Sequence, residues 1–260
     1  MSGEKILPSK HSILGPSAHS RWSVCPASPK KCAEYPGETS RAAVEGTIVH
    51  NISEMILKGR FKDTDPKKYW VGQQIELEGE IITVSPNNYD CALFYVEYVK
   101  KRTEELQGRL LIEEQVECTE IHEAVWGTSD AIIIGKDRIA VIDYKNGRWN
   151  VEAENNSQLK IYGLGALAKY SDDPETIIEL TIVQPNTPGN KKKIKTVETT
   201  AEHLVDWGYD VLKPQAEACF EDDPKFVAGE HCRFCNYKPH CKTNKIYEKQ
   251  RGGYDKEIIG

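Results

Sequence analysis

The stretch Gly127–Lys145 constrains this chain more than any other. It reads Gly-Thr-Ser-Asp, the apolar run Ile132–Ile134, the turn Gly135-Lys136-Asp137-Arg138, a second apolar run Ile139–Ile142, then Asp143-Tyr144-Lys145. Two apolar runs around a short Gly/Asp-containing turn predict a β-hairpin. With the turn centred between Lys136 and Asp137, Ile134 pairs with Ile139, and counting outward sets Asp130 opposite Asp143. Two carboxylates opposed on one sheet face repel unless a cation lies between them. Lys145, two residues past Asp143, shares its face by strand alternation. Two acids and one lysine at the mouth of an apolar hairpin point to a divalent-metal hydrolase site.

A chain of 260 residues can bury one sizeable core around such a hairpin, with a small appended module. A net charge of −6 argues against coating of DNA by the whole surface and leaves room for a local basic groove. Lys191-Lys192-Lys193-Ile194-Lys195 and the tail with Lys238, Lys242, Lys245, Lys249 and Arg251 are the candidates, against the plainer reading of solvated charge. The apolar runs are far shorter than a membrane span and no signal-peptide core opens the chain, so a cytoplasmic protein without membrane contact is expected.

Periodicity places the remaining elements. A helix is expected from about Thr39 to Leu57, capped by Thr39 or Ser40 and carrying His50, which alone reads as an ordinary surface or core histidine. Residues 59–89 read as a surface insertion with a short strand near Glu80–Val84. A helix capped by Asp90 runs to about Gln107 and stops at Gly108; a strand follows from Arg109 to Cys118. Glu114 on that strand is a candidate further ligand, although a solvent-facing glutamate is the simpler reading. After Asn146-Gly147, a helix from about Glu154 to Tyr170 puts Gln158 and Tyr162 on one face, with Gly163 and Gly165 allowing close approach to a sheet. Strands Glu175–Gln184 and Lys193–Glu198 pair across a loop, and Thr199-Thr200-Ala201-Glu202 opens a last helix to about Phe220, interrupted at Pro214. The order describes an α/β core.

Eight cysteines without an export signal read as ligands or buried thiols rather than disulfides. Cys232, Cys235 and Cys241 form C-x2-C-x5-C, three ligands of a metal centre. The fourth is open between Cys25, Cys219, His231 and His240, and the metal between Zn²⁺ and an iron–sulfur cluster. Cys32, Cys91 and Cys118 read as buried apolar residues.

His50, Gly127-Thr-Ser-Asp130, Asp143-Tyr-Lys145 and Gln158-x3-Tyr162, in that order, resemble the PD-(D/E)XK nuclease superfamily, closest to its RecB-type branch. Cys25 followed by Cys232, Cys235 and Cys241 resembles the iron–sulfur subset of that branch, which includes CRISPR-associated four-cysteine exonucleases and the AddB nuclease domain. Ser17-Ala-His-Ser-Arg-Trp22, Cys25-Pro26 and Ala43-Val-Glu-Gly-Thr47 also resemble a phage and prophage family of unassigned function. The resemblance spans roughly residues 13–242. It implies a restriction-endonuclease-like core, a mixed central β-sheet flanked by helices, with an iron–sulfur clip joining the N- and C-terminal segments. It implies one nuclease domain over residues 1–260, with 59–108 as an insertion and helix, 219–242 as the cysteine module packing with Cys25, and 243–260 as a tail. His50, Asp130, Asp143 and the Tyr144 backbone carbonyl would bind one or two Mg²⁺ or Mn²⁺. Asp130, Asp143 and Lys145 would carry catalysis, and Gln158 and Tyr162 would contact DNA or brace the site. A 4Fe–4S cluster on Cys25, Cys232, Cys235 and Cys241, with Zn²⁺ as the alternative, would be structural. The implied activity is a DNA exonuclease in phage recombination or DNA processing within a bacterial host cell, and the implied partner besides DNA is a single-strand annealing protein. The alternative is a nucleic-acid-binding module on an inactive nuclease fold.

Two features depart from the superfamily pattern: no proline precedes Asp130, and the Glu/Asp position carries the shorter acid, Asp143.

Overall fold

The computed structural model describes residues 12–37, 39–61 and 64–258, with side chains as far as 251. Two short helices, α1 (His19–Trp22) and α2 (Ser28–Glu34), come before the first long one. Helix α3 (Arg41–Leu57) starts at Ser40, whose side chain accepts a hydrogen bond from the Ala43 N–H, and it buries Val44, Ile48, Val49 and Ile52. The insertion holds α4 (Pro66–Trp70) and a two-stranded hairpin, β1 (Gln74–Leu77) with β2 (Glu80–Thr83). Helix α5 (Pro86–Leu106) begins four residues before the expected Asp90. Ser85 caps it, in a reciprocal box with Asn88, because Pro86 is pre-set for a first helical turn. Gln107, in the left-handed conformation, ends α5 just before Gly108.

The central sheet has the order β3 (Arg109–Glu117), β4 (Trp126–Ile134), β5 (Arg138–Tyr144), β6 (Ile177–Val183), β7 (Ile194–Thr200). Only β5 and β6 run parallel, with the crossover α6 (Ser157–Tyr170) between them; the sheet is therefore mixed. The hairpin pairs Ile134 with Ile139 and continues to Ala131 with Ile142. One sheet face packs Ile132, Val141 and Ile139 against α6, α7 (Ala201–Trp207) and α8 (Lys213–Ala218). The other packs Ala131, Ile133, Ala140 and Ile142 against α3, α5 and the β1–β2 hairpin. A Cβ on Gly165 would stand 2.9 Å from the Val116 Cβ, so only glycine lets α6 approach β3 this closely.

Past α7 the helix opens into a π-type turn, Gly208–Leu212, before Pro214 enters α8. Proline has no N–H and its ring crowds the carbonyl four residues back, which is a cause of such widened turns. The expected last long helix is thus two short ones, and α9 (Lys242–Ile258) follows the cysteine-bearing segment.

Candidate active site

Asp130 is the middle of a row of acids crossing three strands. Continuing the pairing of Ala131 with Ile142 places Asp143 on one side of it. The pairs Ile112–Ala131 and Glu114–Ser129 bracket Glu113 on the other. At Asp130 the hairpin ladder gives way, and its Oδ2 instead accepts the Tyr144 N–H at 2.7 Å. Glu113 has φ +54, a left-handed conformation costing a residue with a Cβ about 1 kcal/mol or more. Side-chain alternation shifts there: Leu111 and Val116, five residues apart, both pack on the α6 face.

His50 reaches this row from α3. Its Nδ1 lies 3.5 Å from Asp130 Oδ1, and its ring stands edge-on to Tyr144 with centroids 5.0 Å apart. One ligand atom each from His50, Glu113 and Asp130 lie within 4.8 Å of one another. Octahedral coordination at 2.0–2.1 Å separates donors by about 3 to 4.2 Å, so a small closure would seat Mg²⁺ or Mn²⁺ between them. Burial and the charge of Asp130 push the Glu113 carboxyl up to about 8, with Glu54 adding to the rise and Lys58 opposing it. Burial likewise lifts Asp143 to about 6, against the pull of Lys145 and with Asp130 adding to the rise. A bound cation reverses both shifts.

The Asp143 carboxyl is almost completely buried. Gln158, in the first turn of α6, donates Nε2 to Asp143 Oδ1 at 2.9 Å and lies 3.3 Å from the Tyr162 hydroxyl. Lys145 donates Nζ to Gln158 Oε1 at 2.7 Å and stands 2.9 Å from Asp143 Oδ2, an ion pair whose angle leaves that buried oxygen without an aligned hydrogen bond. The structure therefore brings together His50, Asp130, Asp143, Tyr144, Lys145, Gln158 and Tyr162. It adds Glu113 and sets Asp143 beside the three-ligand group rather than within it. Glu114, weighed as a ligand from sequence, points elsewhere: Lys169 Nζ lies 2.6 Å from it and the Tyr170 hydroxyl holds it too. The adjacent acids Glu113-Glu114 were the available signal. Simple alternation assigns them to opposite faces and gives no hint of the left-handed residue.

Cys25, Cys232, Cys235 and Cys241 line one pocket, with His231 and Asn244. Two short 3₁₀ turns, Glu230–Phe234 and Lys238–His240, present the three C-terminal thiols. Backbone N–H groups of Val227 and Asn244 point at the sulfurs of Cys25 and Cys241, at 3.5 and 3.4 Å, as they do around ligating thiolates. Of the other candidates, His231 Nε2 is engaged with the Val227 carbonyl, His240 packs beside Tyr35, and Cys219 is buried toward the Trp22 and Gln215 carbonyls. Cys91 and Cys118 are buried as expected. Cys32 corrects the sequence reading: it is half-buried, its Sγ 3.6 Å from that of Cys235. The basic candidates are partly spent within the protein. Lys195 holds Asn150 and the Val151 carbonyl, Lys238 pairs with Glu248, and Arg251 with Glu230.

A mixed sheet with acids from three adjacent strands, a helical histidine and a neighbouring lysine defines an α/β protein with a candidate divalent-cation centre. Residues 11–257 match the family described as "Protein of unknown function (DUF2800)", and the chain belongs to that family. Among solved structures, a candidate exonuclease from Eubacterium rectale is similar at 12% identity and a TM-score of 0.46, over 84% of this chain and 86% of that one. The protein SSO0001 is similar at 17% identity and a TM-score of 0.41, over 94% of this chain and 90% of that one. Among the described residues no helix is long and apolar enough to cross a membrane.

Proposed function

We propose that this protein is a Mg²⁺- or Mn²⁺-dependent deoxyribonuclease that degrades DNA from its ends. The observation that carries the reading is the row Glu113, Asp130, Asp143, with His50 above it and Lys145 beside it. Such a row is electrostatically costly without a cation, and hard oxygen donors with one imidazole suit Mg²⁺ or Mn²⁺. A divalent cation there supplies charge to the non-bridging phosphate oxygens and lowers the pKa of a water.

The chain's own residues do the rest. Asp130, Glu113 and His50 would hold the cation, and the Asp143 carboxylate and the Tyr144 carbonyl are the further oxygen donors beside them. Lys145 Nζ, fixed between Gln158 Oε1 and Asp143, orients the attacking water and offsets charge on the phosphorane-like transition state. Gln158 and Tyr162 brace this pair from α6. The four-cysteine pocket joins the N- and C-terminal segments as a structural iron–sulfur site. Four thiolates from two distant parts of the chain are a donor set that suits an iron–sulfur cluster, with tetrahedral Zn²⁺ as the alternative.

End-labelled linear DNA and closed-circular DNA, incubated in parallel with Mn²⁺, test the proposal. Progressive release of label from the linear form alone is expected. Cutting of the circle would replace exonuclease with endonuclease, and binding without cleavage of either would leave only a nucleic-acid-binding module.

A further inference from the structure

We propose that Trp149, Arg233 and Phe234 form a stacking strip for the bases of single-stranded DNA beside the candidate active site. Its relation to catalysis rests on the function proposed above; its affinity for single strands does not. Trp149 and Phe234 are the most exposed large apolar side chains among the described residues, at 74% and 73%. Between them lies Arg233, its guanidinium 4.6 Å from the Trp149 ring centre and 5.5 Å from that of Phe234. A single exposed aromatic needs no explanation, but two flanking a cation form the combination that grips stacked bases and the phosphates joining them.

The strip is built on a backbone held from beneath. Gln184, fully buried at the end of β6, donates Nε2 to the Gly147 and Trp149 carbonyls at 2.7 and 2.6 Å, and its Oε1 accepts the Val151 N–H at 3.0 Å. Lys195 donates to Asn150 Oδ1 and the Val151 carbonyl. A buried glutamine thus spends its hydrogen bonds on a loop whose one large apolar side chain stays in solvent. On the opposite side, Arg21 donates to the Phe234 carbonyl, and Phe234 stands between two pocket thiols, Cys232 and Cys235. Ordering both aromatics in advance lowers the entropic cost of binding.

Position and chemistry select the occupant. Trp149 follows Lys145 by four residues, so the two Cα atoms lie within about 14 Å, the length of a few nucleotides. The net charge of −6 confines anion binding to local cationic groups, here Arg233 with the exposed Arg148 next to Trp149. Duplex DNA hides its base faces in its own stack; a single strand offers them.

Fluorescence anisotropy with labelled oligo(dT) and with a blunt duplex, in EDTA so that no cleavage intervenes, tests the strip. Trp149→Ala and Phe234→Ala should each weaken oligo(dT) binding about tenfold, Trp149→Phe should retain most of it, and duplex binding should change less than about twofold. Both side chains are exposed, so unchanged circular dichroism should confirm folding of each variant. Trp149 is the exposed one of five tryptophans, and wild-type intrinsic fluorescence should fall on adding oligo(dT). Equal affinity in wild type and variants, equal losses on single strand and duplex, or no oligo(dT) binding by wild type would overturn the proposal. Unaltered binding by Trp149→Ala in a protein that still degrades DNA discards the strip alone. Strip-dependent binding without degradation discards the nuclease reading alone.

Discussion

Glu113 and Asp143 are carboxyls that the fold makes hard to ionise. Burial comes first in both, and Asp130 worsens both. For an acid raised on folding, the stabilisation is complete below its unfolded pKa and is lost as pH rises through the folded value. That window runs from 3.8 to about 6 for Asp143 and from 4.5 to about 8 for Glu113. His19, held down at about 4 by burial, works in the opposite direction below pH 6.5. The clean range is therefore pH 6.5–8, read as a difference between proteins. Metal-free Glu113→Gln should gain stability over wild type as pH rises there, by roughly 1–2 kcal/mol in denaturant melts, while losing most of its Mn²⁺ affinity. Parallel melting profiles would refute the strained-carboxyl account. Glu114→Ala, whose partners are Lys169 and Tyr170 at the surface, should leave Mn²⁺ affinity unchanged in calorimetry.

At the scale of elements, a tight turn made the β4–β5 register readable. Ile134 must face Ile139 when two apolar runs are joined so closely, and counting holds as far as Ala131 with Ile142; at Asp130 and Asp143 the ladder has ended, and Asp130 takes the Tyr144 N–H instead. Strand β3 has no such tie, because residues 118–125 separate it from β4 and its register is set by packing. The left-handed Glu113 then shifts the alternation, so the third acid of the row could not be counted out from sequence. Cys32 was missed for a related reason: its neighbour Cys235 is 203 residues away. The pair Gly163 and Gly165, by contrast, was legible as a close helix–sheet approach. Gly165→Ala should destabilise by ~1–2 kcal/mol, because its methyl group would meet Val116 at 2.9 Å and outweigh the helix-propensity gain. Gly46→Ala should stabilise α3 by up to ~1 kcal/mol, since its nearest neighbour, Asn146, lies at an ordinary 3.6 Å. Urea unfolding of the two variants measures the contrast; the same sign for both would contradict it.

Across the whole molecule, the sheet carries the acids while the N- and C-terminal segments meet at the cysteine pocket. Protein purified anaerobically should be brown, with iron and acid-labile sulfide, and Cys25→Ser or Cys241→Ser should bleach it while Cys91→Ser should not. Colourless wild-type protein with stoichiometric zinc would replace the cluster with a zinc site. Loss of the clip should loosen both termini without displacing the acids, which stand on β3, β4 and β5. The central claim is that those acids and Lys145 hydrolyse DNA with a divalent cation. Its most direct measurement is the rate of release of acid-soluble nucleotide from linear DNA across a Mn²⁺ titration, for wild type, Asp130→Ala and Lys145→Ala. Mn²⁺-dependent release by wild type, with a loss of at least about a hundredfold in both folded variants, is the expected result. Undiminished release by either variant would contradict the assignment.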